Sequence, residues 1–143
     1  MKQIEPFGPF ALASNVTPVA VPSPAGELSG LLTGPSAPGL VDGTPAISAA
    51  SAPDAAGENR ALLVPGYTGS KEDYAPVLPF LGDAGWDVLA YSQRGQGGSA
   101  APAGLGAYGM SDFVNDLIAV AEAWAGTSGR VHLVGHSFGG IVA

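Results

Sequence analysis

The sequence predicts an α/β fold, and three observations carry that reading. Apolar runs at 61–64, 86–91 and 130–135 have the length and density of strands buried on both faces. The segments between them carry helix signals, so the runs are joined by crossovers, as parallel strands require. The chain of 143 residues is 46% apolar and only 12% charged, enough apolar material for a core.

The first element expected is a β-hairpin. Val16-Thr17-Pro18-Val19-Ala20-Val21 and Leu28-Ser29-Gly30-Leu31-Leu32-Thr33 read as extended runs, with Pro22-Ser23-Pro24-Ala25-Gly26 as turn chemistry between them. Pro18 has no N–H to give a ladder, which predicts a sheet edge for the first run. Residues 34–59 are rich in Pro, Gly, Ala and Ser and show no periodicity, the pattern of a mobile loop or linker. Gly (22) and Pro (13) make up about a quarter of the chain, and much of the excess precedes residue 60. The chain thus divides into a hairpin and linker, 1–59, and an α/β part, 60–143.

In the second part Ala61-Leu62-Leu63-Val64 is a strand ended by Pro65-Gly66. Ser70-Lys71-Glu72-Asp73 has capping-box spacing, and Pro76 predicts a regular helix starting near Tyr74, ended by Gly85. Trp86 to Tyr91 is the next strand, followed by a Gly-rich loop over 94–109. Ser111 can cap a helix reaching about Ala125, with Phe113, Leu117, Val120, Ala121 and Trp124 on one buried stripe. Arg130 to Gly135 reads as a third buried-type strand.

Bulk properties narrow the function classes. Net charge is −7 with five Lys and Arg, so the clustered positive charge of a nucleic-acid surface is missing and an anionic membrane is a poor partner. Without cysteine there is no disulfide, thiolate or Cys-based zinc chemistry, and His132 and His136 are too few for a His-rich metal site. No metal or cofactor is expected. The first residues lack a signal-peptide pattern and no run approaches about 18 apolar residues, so the expected location is the cytoplasm.

The last strand runs into Gly135-His136-Ser137-Phe138-Gly139-Gly140, a G-x-S-x-G arrangement at a strand end. Such a turn is sharp and its serine strained, and glycines two residues to either side let the backbone pass without a Cβ clash. It lifts the Ser137 Oγ clear of the sheet and points the Phe138 N–H at a developing oxyanion. The alternative is a strand–helix turn carrying an ordinary surface serine.

Three ordered motifs now coincide. Leu62-Leu63-Val64-Pro65-Gly66-Tyr67-Thr68-Gly69-Ser70 resembles the oxyanion-loop segment of the α/β-hydrolase superfamily. Arg94-Gly95-Gln96-Gly97-Gly98-Ser99 resembles its R-G-x-G-x-S loop, and Gly135 to Gly139 its nucleophile elbow. The resemblance covers residues 60–143, more weakly the hairpin, and is to serine hydrolases of the serine aminopeptidase-like kind. It implies an α/β-hydrolase fold with Ser137 as nucleophile and the backbone N–H groups of Tyr67 and Phe138 as the oxyanion hole. It also implies a small-molecule acyl substrate (an ester, thioester or amide, with carboxylic esters foremost) beside the Tyr67 side chain, whose other reading is plain packing.

The sequence departs from the family at Pro65, where a structural histidine is usual, and at Ser92, where an aspartate often anchors the loop. The triad acid and base, which follow the serine in this fold, are not assignable. His132 lies about 16 Å back along the strand at ~3.3 Å per residue, and both histidines read as packing residues. The chain is therefore expected to be a piece of a longer hydrolase, truncated after the elbow. By itself it should be inactive and expose an apolar, aggregation-prone edge.

Gly95 to Ala100 nearly satisfies a dinucleotide motif, but Pro102, Gly104 and Gly106 oppose the helix such a site needs. Gly66 to Lys71 fails phosphate-loop spacing. A non-catalytic α/β-hydrolase-like binding scaffold remains the alternative to an enzyme. Dehalogenases and epoxide hydrolases of this superfamily carry aspartate at the elbow, which Ser137 disfavours.

Overall fold

A computed structural model of the chain describes residues 11–37, 43–47, 59–127 and 129–143. Strands β1 (Val16–Ser23) and β2 (Gly26–Thr33) form the expected hairpin, two residues longer at the turn than the sequence suggested. Gly26 closes the turn at φ 117°, a conformation that favours glycine.

Strands β3 (Arg60–Val64), β4 (Asp87–Tyr91) and β5 (His132–Gly135) complete one five-stranded sheet in the order β1-β2-β4-β3-β5. The hairpin joins antiparallel to β4, and β4, β3 and β5 run parallel. The expected α/β fold is therefore present, and the hairpin belongs to the same sheet.

Period-two alternation sends side chains to two cores on opposite faces. Leu62, Val64, Leu89 and Tyr91 pack with Val19, Val21, Leu28 and Leu32 under one helix. Ala61, Leu63, Val88 and Ala90 pack with Val16, Leu31 and Leu78 on the other face. Every residue of β3 and β4 is buried.

Helix α1 (Leu78–Asp83) starts later than the expected Tyr74. A separate 3-10 turn occupies Lys71–Tyr74, and Pro79 lies in the first turn of α1. Two prolines in four residues leave too few N–H donors to join the segments into one helix. The Asp73 carboxylate accepts the Ser70 N–H at 3.3 Å, as the capping spacing predicted. Helix α2 (Met110–Ala125) is capped at Gly109, not Ser111: the Asp112 carboxylate accepts the Gly109 N–H at 3.0 Å, moving the start one residue upstream. Its inner face buries Phe113, Leu117, Val120 and Trp124 as expected; Ala121 is half-buried, and Asp116 joins the buried face.

Two further expectations change. Within 34–59, the segment 43–47 is packed: Ala46 bridges Ala20 on the outer side of β1, and Ile47 enters the core. Residues 38–42 and 48–58 lie outside the described residues. Strand β5 is exposed along its whole length, not buried, because it is the last strand of the sheet.

The opposite edge, β1, is closed. Its outward positions are Val16, Pro18, Ala20 and Pro22. The two prolines have no N–H, Val16 N–H goes to Ala13 O at 3.0 Å, and Ala20 N–H goes to Pro45 O at 3.0 Å.

Candidate active site

The chain steps from β3 to β4 on one side, then returns over β3 to β5 on the other. The strand order reverses between β3 and β5, and the crevice at their C-terminal ends is where open α/β sheets bind ligands. Val64 and Gly135 are register partners there, so the loop after β3 and the turn after β5 emerge side by side. The His136 N–H donates to Val64 O at 3.0 Å, and the Tyr74 hydroxyl donates to the same carbonyl at 2.9 Å. Burial, with the Asp73 charge adding, raises the Tyr74 phenol above its ordinary range and keeps it a donor.

Ser137 sits on the turn between β5 and helix α3 (Phe138–Val142) at φ 53°, ψ −121°. Among the described residues it is the one non-glycine with positive φ. The glycines around it are required sterically. A Cβ on Gly135 would run into the Gly139 and Gly140 backbone, and one on Gly139 into the carbonyls of Val64 and Pro65. A Cβ on Gly66 would lie 3.5 Å from the Ser137 Cβ, so the loop after β3 reaches the serine. The predicted site residues are therefore brought together: Gly66-Tyr67 on one side, Ser137-Phe138 on the other. Among the described residues, neither the Tyr67 nor the Phe138 backbone N–H donates a hydrogen bond. The Tyr67 ring is 72% exposed and meets Phe138 edge-on at 5.8 Å.

The Arg-Gly loop braces this arrangement. Arg94 forks onto Asp116, Nε to Oδ2 at 2.7 Å and Nη2 to Oδ1 at 2.9 Å, and caps the carbonyls of Ala107 and Asp112 at 2.6 and 3.1 Å. The Asp116 bond raises the Arg94 guanidinium above its already high ordinary value, against the opposing effect of burial. Arg94 also lies 5.9 Å over the Phe113 ring, which meets Phe138 edge-on at 5.1 Å. Packing thus runs from the ion pair to the residue after the serine.

The two departures from the family pattern have local replacements. Ser92 accepts the Lys71 N–H on its Oγ at 3.0 Å, anchoring the loop without an aspartate. Beside Pro65, Gln93 donates to the Pro65 carbonyl at 2.9 Å. Ser99 donates to Ser92 O at 2.6 Å and accepts the Ser29 N–H at 2.9 Å, tying the loop to β2.

Sequence reasoning missed Asp116, Gln93 and Gln96. Asp116 carried a signal, being an acid on the apolar stripe between Phe113 and Val120; the glutamines carried none. Of the two histidines, His132 packs edge-on against Trp86 at 5.4 Å, and the His136 ring lies against Gly66. Among the described residues no cluster of three or more His, Cys, Asp or Glu could hold a metal, and no helix is long and apolar enough to cross a membrane.

Known proteins resemble this chain in sequence and in fold. The chain is 42% identical over 81 residues to a Variovorax paradoxus protein named "Putative carbamate hydrolase RutD", a match covering 57% of this chain and 29% of that one. It is 34% identical over 81 residues to epoxide hydrolase A of Mycobacterium tuberculosis, covering 57% and 24%. Among solved structures, an epoxide hydrolase from an endophytic Streptomyces superposes with TM-score 0.67 at 27% identity, covering 92% of this chain and 32% of that one. Epoxide hydrolase VrEH1 of Vigna radiata superposes at 0.68 with 19% identity, covering 90% and 34%, a likeness of fold. The chain thus spans about a third or less of the length of these relatives. A family profile described as the alpha/beta hydrolase fold matches residues 62–143, and the chain belongs to that family.

Proposed function

We propose that this chain carries the nucleophile half of a serine hydrolase acting on a carbonyl substrate: an ester, thioester or amide. The observation that carries the reading is Ser137 at φ 53° on a turn whose glycines admit no side chain. A strained non-glycine residue costs about 1–3 kcal/mol and persists where the surroundings over-determine it, which is characteristic of sites that use the strain. Ser137 Oγ would attack the acyl carbon, forming a tetrahedral intermediate whose oxyanion takes hydrogen bonds from the Tyr67 and Phe138 N–H groups. Both groups lack another acceptor among the described residues.

The relative named as a carbamate hydrolase fits this reading, because a carbamate also presents a carbonyl. The epoxide hydrolase names fit it less well, since the family resemblance pairs that reaction with aspartate where this chain has Ser137. A serine needs a base to take its proton. No described residue fills that role, so activity is proposed for the full-length hydrolase.

The test is covalent labelling of the full-length protein by a fluorophosphonate, with the modified peptide read by mass spectrometry. Labelling at Ser137 that disappears in Ser137→Ala is expected. An unlabelled, folded protein would move the assignment to a non-catalytic binding scaffold.

A further inference from the structure

Gln96 spans the gap between two loops. Its Nε2 donates to the Gly66 carbonyl at 3.1 Å and to the Tyr67 carbonyl at 2.5 Å, while Gln93 holds the preceding carbonyl, that of Pro65. We propose that Gln96 is a positioning residue that fixes the Gly66–Tyr67 peptide plane and so aims the Tyr67 N–H at the substrate oxygen beside Ser137. This rests on the hydrolase reading above.

A trans peptide is planar, with its C=O and N–H pointing in opposite directions. Gly66 O and Tyr67 N–H belong to one such unit. The carbonyl side is held by Gln96 and by the Gly69 N–H at 3.1 Å; the amide side has no acceptor among the described residues. Pinning the oxygen therefore sets where the free donor points. The unit lies at the serine, since a Cβ on Gly66 would come within 3.5 Å of the Ser137 Cβ and 3.2 Å of the His136 Nδ1.

Glycine at 66 makes such a pin necessary, because it allows peptide orientations that other residues forbid. Glutamine suits the task, with two donors on one nitrogen for two carbonyls; because both partners are acceptors, the nitrogen must face them. Gly95 and Gly97 on either side of Gln96 have φ of 75° and 44°, the backbone that carries its side chain across.

The test is 15N relaxation of the full-length protein and of two variants. Gln96→Met keeps length and removes both donors; Gln96→Lys returns a donor to the same place. In the wild type the Tyr67 amide is expected to be as ordered as β3 and β4, with an order parameter of about 0.85, and to fall below about 0.6 in Gln96→Met. Gln96→Lys should restore much of the loss. A Tyr67 amide that is mobile in the wild type, or equally ordered in Gln96→Met, overturns the proposal. So does a Gln96→Met chain that loses β3 and β4 as well, since Gln96 would then support the fold at large.

In the full-length protein, the covalent step of fluorophosphonate labelling should slow by about a hundred-fold in Gln96→Met with probe affinity unchanged. Absence of labelling in the wild type would overturn the hydrolase reading, and the order-parameter result would still decide the role of Gln96.

Discussion

The loop after β4 and the turn after β5 border the same site and are held by opposite means. The loop is held by side chains: the Arg94–Asp116 fork, the Ser92 and Ser99 hydroxyls, and two glutamine amides. The turn is held by their absence, since Gly135 and Gly139 have no room for a Cβ and Ser137 is the strained exception between them. In the loop the cost is desolvation of buried polar groups; in the turn it is backbone conformation. The two should respond to mutation with opposite sign, because trimming a side chain removes a support from the loop and a strain from the turn.

The strongest way to break the contrast is Asp116→Ala. It removes the bidentate partner of the buried Arg94 charge and leaves Asp112, 3.6 Å away, as the nearest carboxylate, so a loss of about 3 kcal/mol of stability, the low end for a broken buried pair, is expected in urea unfolding. A loss within experimental error would mean that solvent reaches Arg94 and that the loop is held by its hydroxyls and amides alone. On the turn, Gly139→Ala adds one methyl against the Val64 and Pro65 carbonyls and should cost about 1–3 kcal/mol. A thermal melt unchanged from wild type would show that the turn has room to spare.

Tyr91 supplies a pH axis at the base of the loop. Among the described residues its buried hydroxyl has no hydrogen-bond partner, and burial, with the Asp116 charge adding, raises its pKa far above the ordinary 10. The folded state therefore holds the proton more tightly than the unfolded state. Stability is fully present below about pH 10 and falls at higher pH, by up to ~1.4 kcal/mol per pH unit, as the unfolded phenol ionises first. Tyr91→Phe should flatten that decline and be neutral or slightly stabilising at pH 7. Equal alkaline slopes in the two proteins would place the titration elsewhere. The smallest effect sharpens the contrast most. Ser137→Gly relieves a positive φ and should stabilise the fold by about 0.5–1 kcal/mol, the reverse of Asp116→Ala in the loop. Destabilisation instead would show that the serine side chain supports the turn.

The division of labour also explains what was legible in the sequence. Strands β3 and β4 are buried on both faces, so each announces itself as an unbroken apolar run. The turn at Ser137 was legible because a steric demand for glycine leaves a fixed spacing in one short segment. The braces of the loop were not, because Gln93 and Gln96 act across about thirty residues on backbone carbonyls, and a carbonyl accepts from any donor that reaches it. Helix starts are set by contacts the sequence does not state: the Asp112 carboxylate caps Gly109 in place of the expected Ser111, and Pro79 lies in the first turn of α1, well after Tyr74. Strand β5 read as buried because an apolar run does not state how many neighbours its strand has.

That last feature sets the stoichiometry of any sheet-to-sheet association. β1 has no outward N–H to offer, whereas β5 shows an open row of donors and acceptors beside Leu133 and Val134, 43% and 47% exposed. Among the described residues, β5 is the edge that still offers N–H donors for strand pairing. Two copies of the 143-residue chain joined β5 to β5 about a two-fold axis would satisfy each other's donors, so pairing through this edge favours a closed pair over an open fibre.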